Sequence, residues 1–181
     1  EQALCHDIEA LCALTEGFNR WLAEDWGLNY KGKLFCAPYI TLSDVDWACR
    51  ELEWALEHDA RVLVMRPSAV CTADGWCSPG DERFDPFWAR VNEAGITVVA
   101  HVGSNAYTAN GYGGNSALAI LGGGRKPSVA GLISERAIYD FLLTFAYDKM
   151  FERFPNLRIA SVENGSGFLG DLFVKIEQSK T

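Results

Sequence analysis

Four short apolar runs, each separated from the next by a stretch of helical periodicity, constrain the fold of this chain more than any other feature. Residues 34–40, 61–65, 96–101 and 157–162 are rich in β-branched and aliphatic side chains, are too short for helices, and read as buried strands. Between them lie helical stripes. Leu4, Ile8, Leu11, Phe18, Trp21 and Leu22 form one over residues 3–26, and Val45, Ala48, Leu52 and Ala55 form a second, which Ser43 is expected to cap with Asp46 three residues on. Phe87, Trp88, Val91 and Ala94 follow an Asp85-Pro86 start, with Asp85 as N-cap, and stop at Gly95. Ile138, Phe141, Leu142 and Phe145 follow a Ser134 cap and run to about Phe154, where Pro155 ends the helix; residues 168–176 close the chain as another.

The order α-β-α-β-α-β-α-β-α carries no hairpin signal, so the strands are expected to be parallel with right-handed crossovers. An open doubly wound sheet and half of a (β/α)8 barrel both satisfy that order. A complete barrel takes about 250 residues and does not fit in 181. The expectation is one α/β domain over residues 1–181, with a glycine-rich insertion at 103–133 whose length inside a compact domain suggests a lid.

A formal net charge of -8 without any concentrated run of Lys or Arg excludes a nucleic-acid surface, because phosphate neutralisation needs a basic face. The six cysteines have neither CxxC nor zinc-ribbon spacing and read mostly as small core residues, with pairing or metal binding by the neighbouring Cys71 and Cys77 as the alternative. With no signal peptide, membrane span or lipidation motif, the expected setting is cytoplasmic and reducing, with no membrane partner.

The chemistry-bearing residues cluster at strand ends, where parallel α/β folds place their sites. His101 ends the third run, followed by Val102-Gly103. Glu163 leaves the fourth at the same offset, followed by Asn164-Gly165. Strands about 4.8 Å apart bring both side chains within reach of one metal ion or one water, although a strand-end histidine also serves as a hydrogen-bonded structural residue. Gly165-Ser166-Gly167-Phe168-Leu169-Gly170 is a literal GxGxxG between strand and helix, but the acidic residue expected about 20 positions later is missing. Serine chemistry has no GxSxG elbow. Arg66, at the end of the second run, either pairs with a substrate carboxylate or closes a structural ion pair. Trp76, Asn105 and Tyr107 are pocket candidates on flanking loops.

Several of these segments together carry a resemblance. Phe18-Asn19-Arg20-Trp21-Leu22, Arg66-Pro67, Asp85-Pro86-Phe87-Trp88, Ala94-Gly95-Ile96 running into Val99-Ala100-His101, and Phe151-Glu152-Arg153-Phe154-Pro155-Asn156-Leu157-Arg158 before Glu163-Asn164-Gly165 resemble the amidohydrolase-related family. More narrowly, the chain is similar to the metal-dependent hydrolases and decarboxylases grouped with aminocarboxymuconate-semialdehyde decarboxylase. The resemblance implies a partial TIM barrel of about four parallel β/α units, strands three to six of the family's barrel. It implies a divalent metal, zinc by preference with manganese as the alternative, and places His101 at a metal-ligand position. Glu163 stands where the family commonly has a catalytic histidine, and as a carboxylate it still serves as ligand or general base.

The implied activity is hydrolysis or non-oxidative decarboxylation of a small carboxylated, cyclic substrate. The family's first-strand ligands and eighth-strand aspartate have no counterpart here. The chain alone is therefore expected to bind metal weakly and to associate with another copy or a complementary half-barrel. Two rival readings are a catalytically inactive, self-associating half-barrel and a Rossmann-like nucleotide binder.

Overall fold

The computed structural model describes residues 4–103 and 135–178. Asn105, Tyr107, the Ser134 cap and all of the glycine-rich segment but Gly103 lie outside the described residues.

Helix α1 (Ile8–Asp25) starts where the Asp7 carboxylate accepts the Ala10 N–H at 3.0 Å. Its buried stripe runs through Leu11, Cys12, Thr15 and Asn19. Phe18 and Trp21 are half-exposed instead, in a tilted ring contact at 5.7 Å. The apolar pattern misleads here because two polar residues, Thr15 and Asn19, hold the inner positions through specific hydrogen bonds.

The run at 34–40 is not one strand. Its first part, β2 (Leu34–Phe35), pairs antiparallel with β1 (Asn29–Tyr30), and only Tyr39 reaches the parallel sheet, through a single bridge to Val64. Lys31-Gly32-Lys33 is the turn of this hairpin, which the order of elements read from the sequence did not include. Asn19 supplies what the shortened strand lacks. Its side-chain amide accepts the Tyr39 N–H at 2.7 Å and donates to the Tyr39 carbonyl at 2.8 Å, as a neighbouring strand would. The same amide nitrogen reaches Glu51 at 2.8 Å, and Arg20 grips that buried carboxylate with two nitrogens at 2.7 and 2.9 Å while stacking over Trp54. The Phe-Asn-Arg-Trp-Leu stretch thus acts through its two polar residues, which fasten α1 to the sheet and to α2 (Val45–Glu57).

Asp44, not Ser43, caps α2, accepting the Trp47 N–H at 2.8 Å; the Ser43 hydroxyl pairs with Thr41 at 2.9 Å. Strand β3 (Val62–Met65) follows. A second antiparallel hairpin, β4 (Val70–Thr72) with β5 (Gly75–Cys77), occupies part of the connection read from sequence as a loop. Asp85 lies inside α3 (Asp85–Ala94) rather than capping it, because a 3-10 turn over Glu82–Phe84 precedes it with Asp81 as its cap. Gly95, at φ 62°, closes the helix in the left-handed conformation glycine tolerates.

The third and fourth runs form β6 (Thr97–His101) and β7 (Arg158–Val162), and between them the long helix is two, α4 (Glu135–Tyr147) and α5 (Met150–Arg153), divided at the left-handed Lys149. Helix α6 (Leu169–Gln178) ends the described chain.

The parallel sheet has the order β3-β6-β7, with Val64 level with Val99 and Ala160. Side chains alternate across it. Leu63, Met65, Val98 and Ala100 are buried in one core with Leu52, Phe87, Val91, Ile138 and Phe141 from the helices. Trp88 anchors this layer, edge-on to Phe87 and Phe145, with its indole N–H on the Pro79 carbonyl at 2.8 Å. Val62, Val64, Thr97, Val99 and His101 face the other way and stay partly open. A doubly wound sheet carries helices on both faces, whereas among the described residues only one face is covered. No helix among them is long and apolar enough to cross a membrane.

All six cysteines are free. Burial, with Asp44 nearby, pushes the Cys12 thiol up to about 11, and burial raises Cys49, Cys71 and Cys77 as well. Cys71 and Cys77 donate to the carbonyls of Cys5 and Val70, so they behave as packed thiols rather than as a bonded pair.

Candidate functional site

Adjacent parallel strands carry His101 and Glu163 to one edge of the sheet. His101 is level with Val162, and the Val102 N–H continues the ladder to the Val162 carbonyl at 3.1 Å. The imidazole Nδ1 lies 2.8 Å from the Val102 carbonyl. A carbonyl only accepts, so Nδ1 carries the hydrogen, and in the neutral ring this leaves Nε2 with its lone pair. That lone pair faces Glu163 Oε2 at 3.5 Å, beyond the normal N–H···O range of about 2.7–3.2 Å. With the ring in that tautomer two acceptors face each other, an arrangement that a cation between them would satisfy. Ligands bonded at about 2.0–2.1 Å around a tetrahedral ion stand about 3.3–3.4 Å apart, so the spacing suits a shared divalent cation. The hydrogen bond on Nδ1 is the usual support for a histidine that ligates through Nε2.

Glu163 sits at φ 61°, a left-handed conformation that costs a residue with a Cβ about 1–2 kcal/mol. It holds its carboxylate in the open, the side chain being 71% exposed. Strain of this kind concentrates where a side chain must be aimed. Among the described residues no group of three or more His, Cys, Asp or Glu is poised around one ion.

Arg66 follows Met65, which is level with Ala100, and so ends β3 at the height of His101. Its Nε donates to Ser68 Oγ at 2.7 Å, and it lines a small cavity with Thr41, Ser43, Cys71 and Phe141. Trp76, opposite Cys71 in the β4–β5 hairpin, is half-exposed, and the wall of that cavity takes Cys71 rather than Trp76.

The residue that sequence reasoning passed over is Asn164. It is 2% exposed, and its Nδ2 lies 2.9 Å from both the Ala100 and Val162 carbonyls and 3.3 Å from Ser161 Oγ. Its place immediately after Glu163 was the only signal. The glycine motif beside it is not open to a phosphate: the Glu135 carboxylate packs against Gly165 and Gly167, and a Cβ on Gly167 would lie 3.4 Å from Glu135 Oε2. Helix α6 begins only at Leu169. A resident carboxylate repels the anion that a dinucleotide turn exists to hold.

The family profile of the amidohydrolases matches residues 6–168. The chain belongs to the amidohydrolase family. This is a TIM-barrel family, in keeping with the parallel sheet. The amidohydrolase chain is 34% identical to a solved amidohydrolase from Mycobacterium avium subsp. paratuberculosis K-10, with a TM-score of 0.86 over 99% of this chain and 45% of that one. It shares its fold with 2,6-dihydroxybenzoate decarboxylase from Rhizobium, at 15% identity and a TM-score of 0.67 over 88% of this chain and 47% of that one. The dihydroxybenzoic acid decarboxylase of Polaromonas sp. JS666, solved with manganese and the inhibitor 2-nitroresorcinol, aligns at 14% identity with a TM-score of 0.52, over 82% of this chain and 42% of that one. The amidohydrolase chain spans just under half the length of these structures. No curated protein matches it.

Proposed function

We propose that this amidohydrolase chain contributes four β/α units to a barrel that carries out metal-assisted hydrolysis or non-oxidative decarboxylation of a small, cyclic carboxylate. The observation that supports this most directly is the facing pair of acceptors, His101 Nε2 and Glu163 Oε2, at adjacent strand ends. A divalent ion held there supplies Lewis-acid polarisation. His101 binds through Nε2 with its ring fixed by Val102. Glu163, the more exposed partner, takes up and returns the proton at its carboxylate, and Arg66 pairs with the substrate carboxylate. Zinc suits an imidazole and carboxylate set, and manganese, present in the Polaromonas decarboxylase, is the alternative. Six free thiols agree with a cytoplasmic, reducing setting.

Glu163→Gly tests this reading, because it separates chemistry from folding. Glycine relieves the left-handed strain but adds chain entropy of about 0.5–1 kcal/mol, so stability should stay within about 1 kcal/mol. Zinc or manganese retained by equilibrium dialysis should fall. Undiminished retention would remove Glu163 as a metal ligand.

The sheet face that the described residues leave uncovered supports a second, compatible reading, that the chain alone associates. Leu14, Phe18 and Trp21 on α1 and Leu169, Phe173 and Val174 on α6 add exposed apolar surface at either flank. Sedimentation equilibrium is expected to give a mass above the 20.0 kDa of one chain. A monomer across the micromolar range would refute association.

A further inference from the structure

We propose that Asn164 is the positioning residue of the His101–Glu163 pair, setting their separation and holding Glu163 in its left-handed conformation. This rests on the reading that the two act together at one site. A primary amide nitrogen has two hydrogens, and here two carbonyls stand 2.9 Å away, those of Ala100 and Val162. Ala100 immediately precedes His101, and Val162 immediately precedes Glu163. One side chain therefore ties together the peptide units that launch the two candidate ligands, across the gap between β6 and β7.

The bond to Val162 spans two residues and closes a ring around the Glu163 backbone, which is where the left-handed φ of 61° occurs. Backbone pairing does not do this alone, because the ladder ends with the Val102–Val162 bond and β7 is the outer strand of the described sheet. The opposite end of the amide points the same way. Asn164 Oδ1 is buried without a hydrogen-bond partner among the described residues, a cost that an apolar residue of similar size avoids. The residue is thus suited to its two donors rather than to filling the core. Aspartate, an acceptor facing two carbonyls, is expected to open the gap.

The test compares the wild-type chain with Asn164→Leu, Asn164→Asp and the control Val98→Ala, which weakens the core of the same strand without touching the amide. Manganese is titrated into each labelled protein, and the paramagnetic broadening of the His101 ring signals is followed. The concentration for half-broadening should rise about 10–100-fold in both Asn164 variants, as for loss of a group that orients a ligand, and should stay within about twofold in Val98→Ala. An equal rise in all three variants would overturn the proposal, as would none in the Asn164 pair.

Absence of His101 broadening in the wild type defeats the metal reading itself. Crystal structures of the wild type and Asn164→Leu then decide the positioning role: retention of the 3.5 Å separation and of the left-handed Glu163 overturns it, and loss of both upholds it. Asn164→Ser replaces the leucine variant if that chain does not fold.

Discussion

Replacing His101 with alanine is expected to reduce the affinity of the chain for zinc or manganese by at least about 100-fold, more than the loss of any supporting residue, because it removes a donor atom rather than its orientation. The effect on folding should be small. The side chain is 43% exposed, ends its strand, and among the described residues hydrogen-bonds only to the next residue's carbonyl. Equilibrium dialysis followed by elemental analysis, with thermal unfolding of the same samples, measures both. Equal metal in wild type and variant would show that the ion, if bound, sits elsewhere. A large fall in melting temperature would instead make His101 a structural residue.

The largest effect on stability is expected at a place without chemistry. Arg20→Ala leaves the Glu51 carboxylate, itself 2% exposed, without its cation and strips the cover from Trp54. Breaking a buried pair from one side costs about 3–5 kcal/mol, and since Arg20 is one-third exposed the lower figure applies. For a chain of this length that corresponds to a fall in melting temperature of about 10 °C. Glu51→Gln should cost much less, because the arginine left behind is already part-solvated and the amide can still meet Asn19. Comparable losses for both variants would mean that the burial of the carboxylate is not what matters. Combining Arg20→Leu with Glu51→Leu should recover much of the loss, because no buried charge remains.

Much of the framework was legible because it rests on periodicity. Residues 61–65, 96–101 and 157–162 became adjacent parallel strands with nearly the expected limits, and the helix stops at Gly95 and Pro155 follow from backbone chemistry that any window of sequence exposes. The misreadings share a cause. Phe18 and Trp21 looked like core, and residues 34–40 looked like a strand, because apolarity was counted while the decisive partners were polar and distant. Asn19 meets Tyr39 across 20 residues and Glu51 across 32, and nothing local announces either contact.

The hairpin at Val70–Cys77 has no alternating pattern to betray it. At the site, the shared offset of His101 and Glu163 was visible as soon as the strands were set side by side. The left-handed backbone of Glu163 and the amide of Asn164 were not, since both depend on how two strand ends meet in space.

The sheet that the described residues cover on one side has a consequence for how the chain tolerates change. The residues that make it stable, Leu63, Met65, Val98 and Ala100 under their helices, and the residues that meet whatever occupies the open side, Val64, Val99, His101 and Ala160, alternate along the same strands but never share a neighbourhood. Among the described residues a substitution on that side disturbs fewer packed neighbours than one under the helices, so it is expected to cost the chain alone less folding free energy. The wall is, in effect, two independent texts written on the two sides of one page.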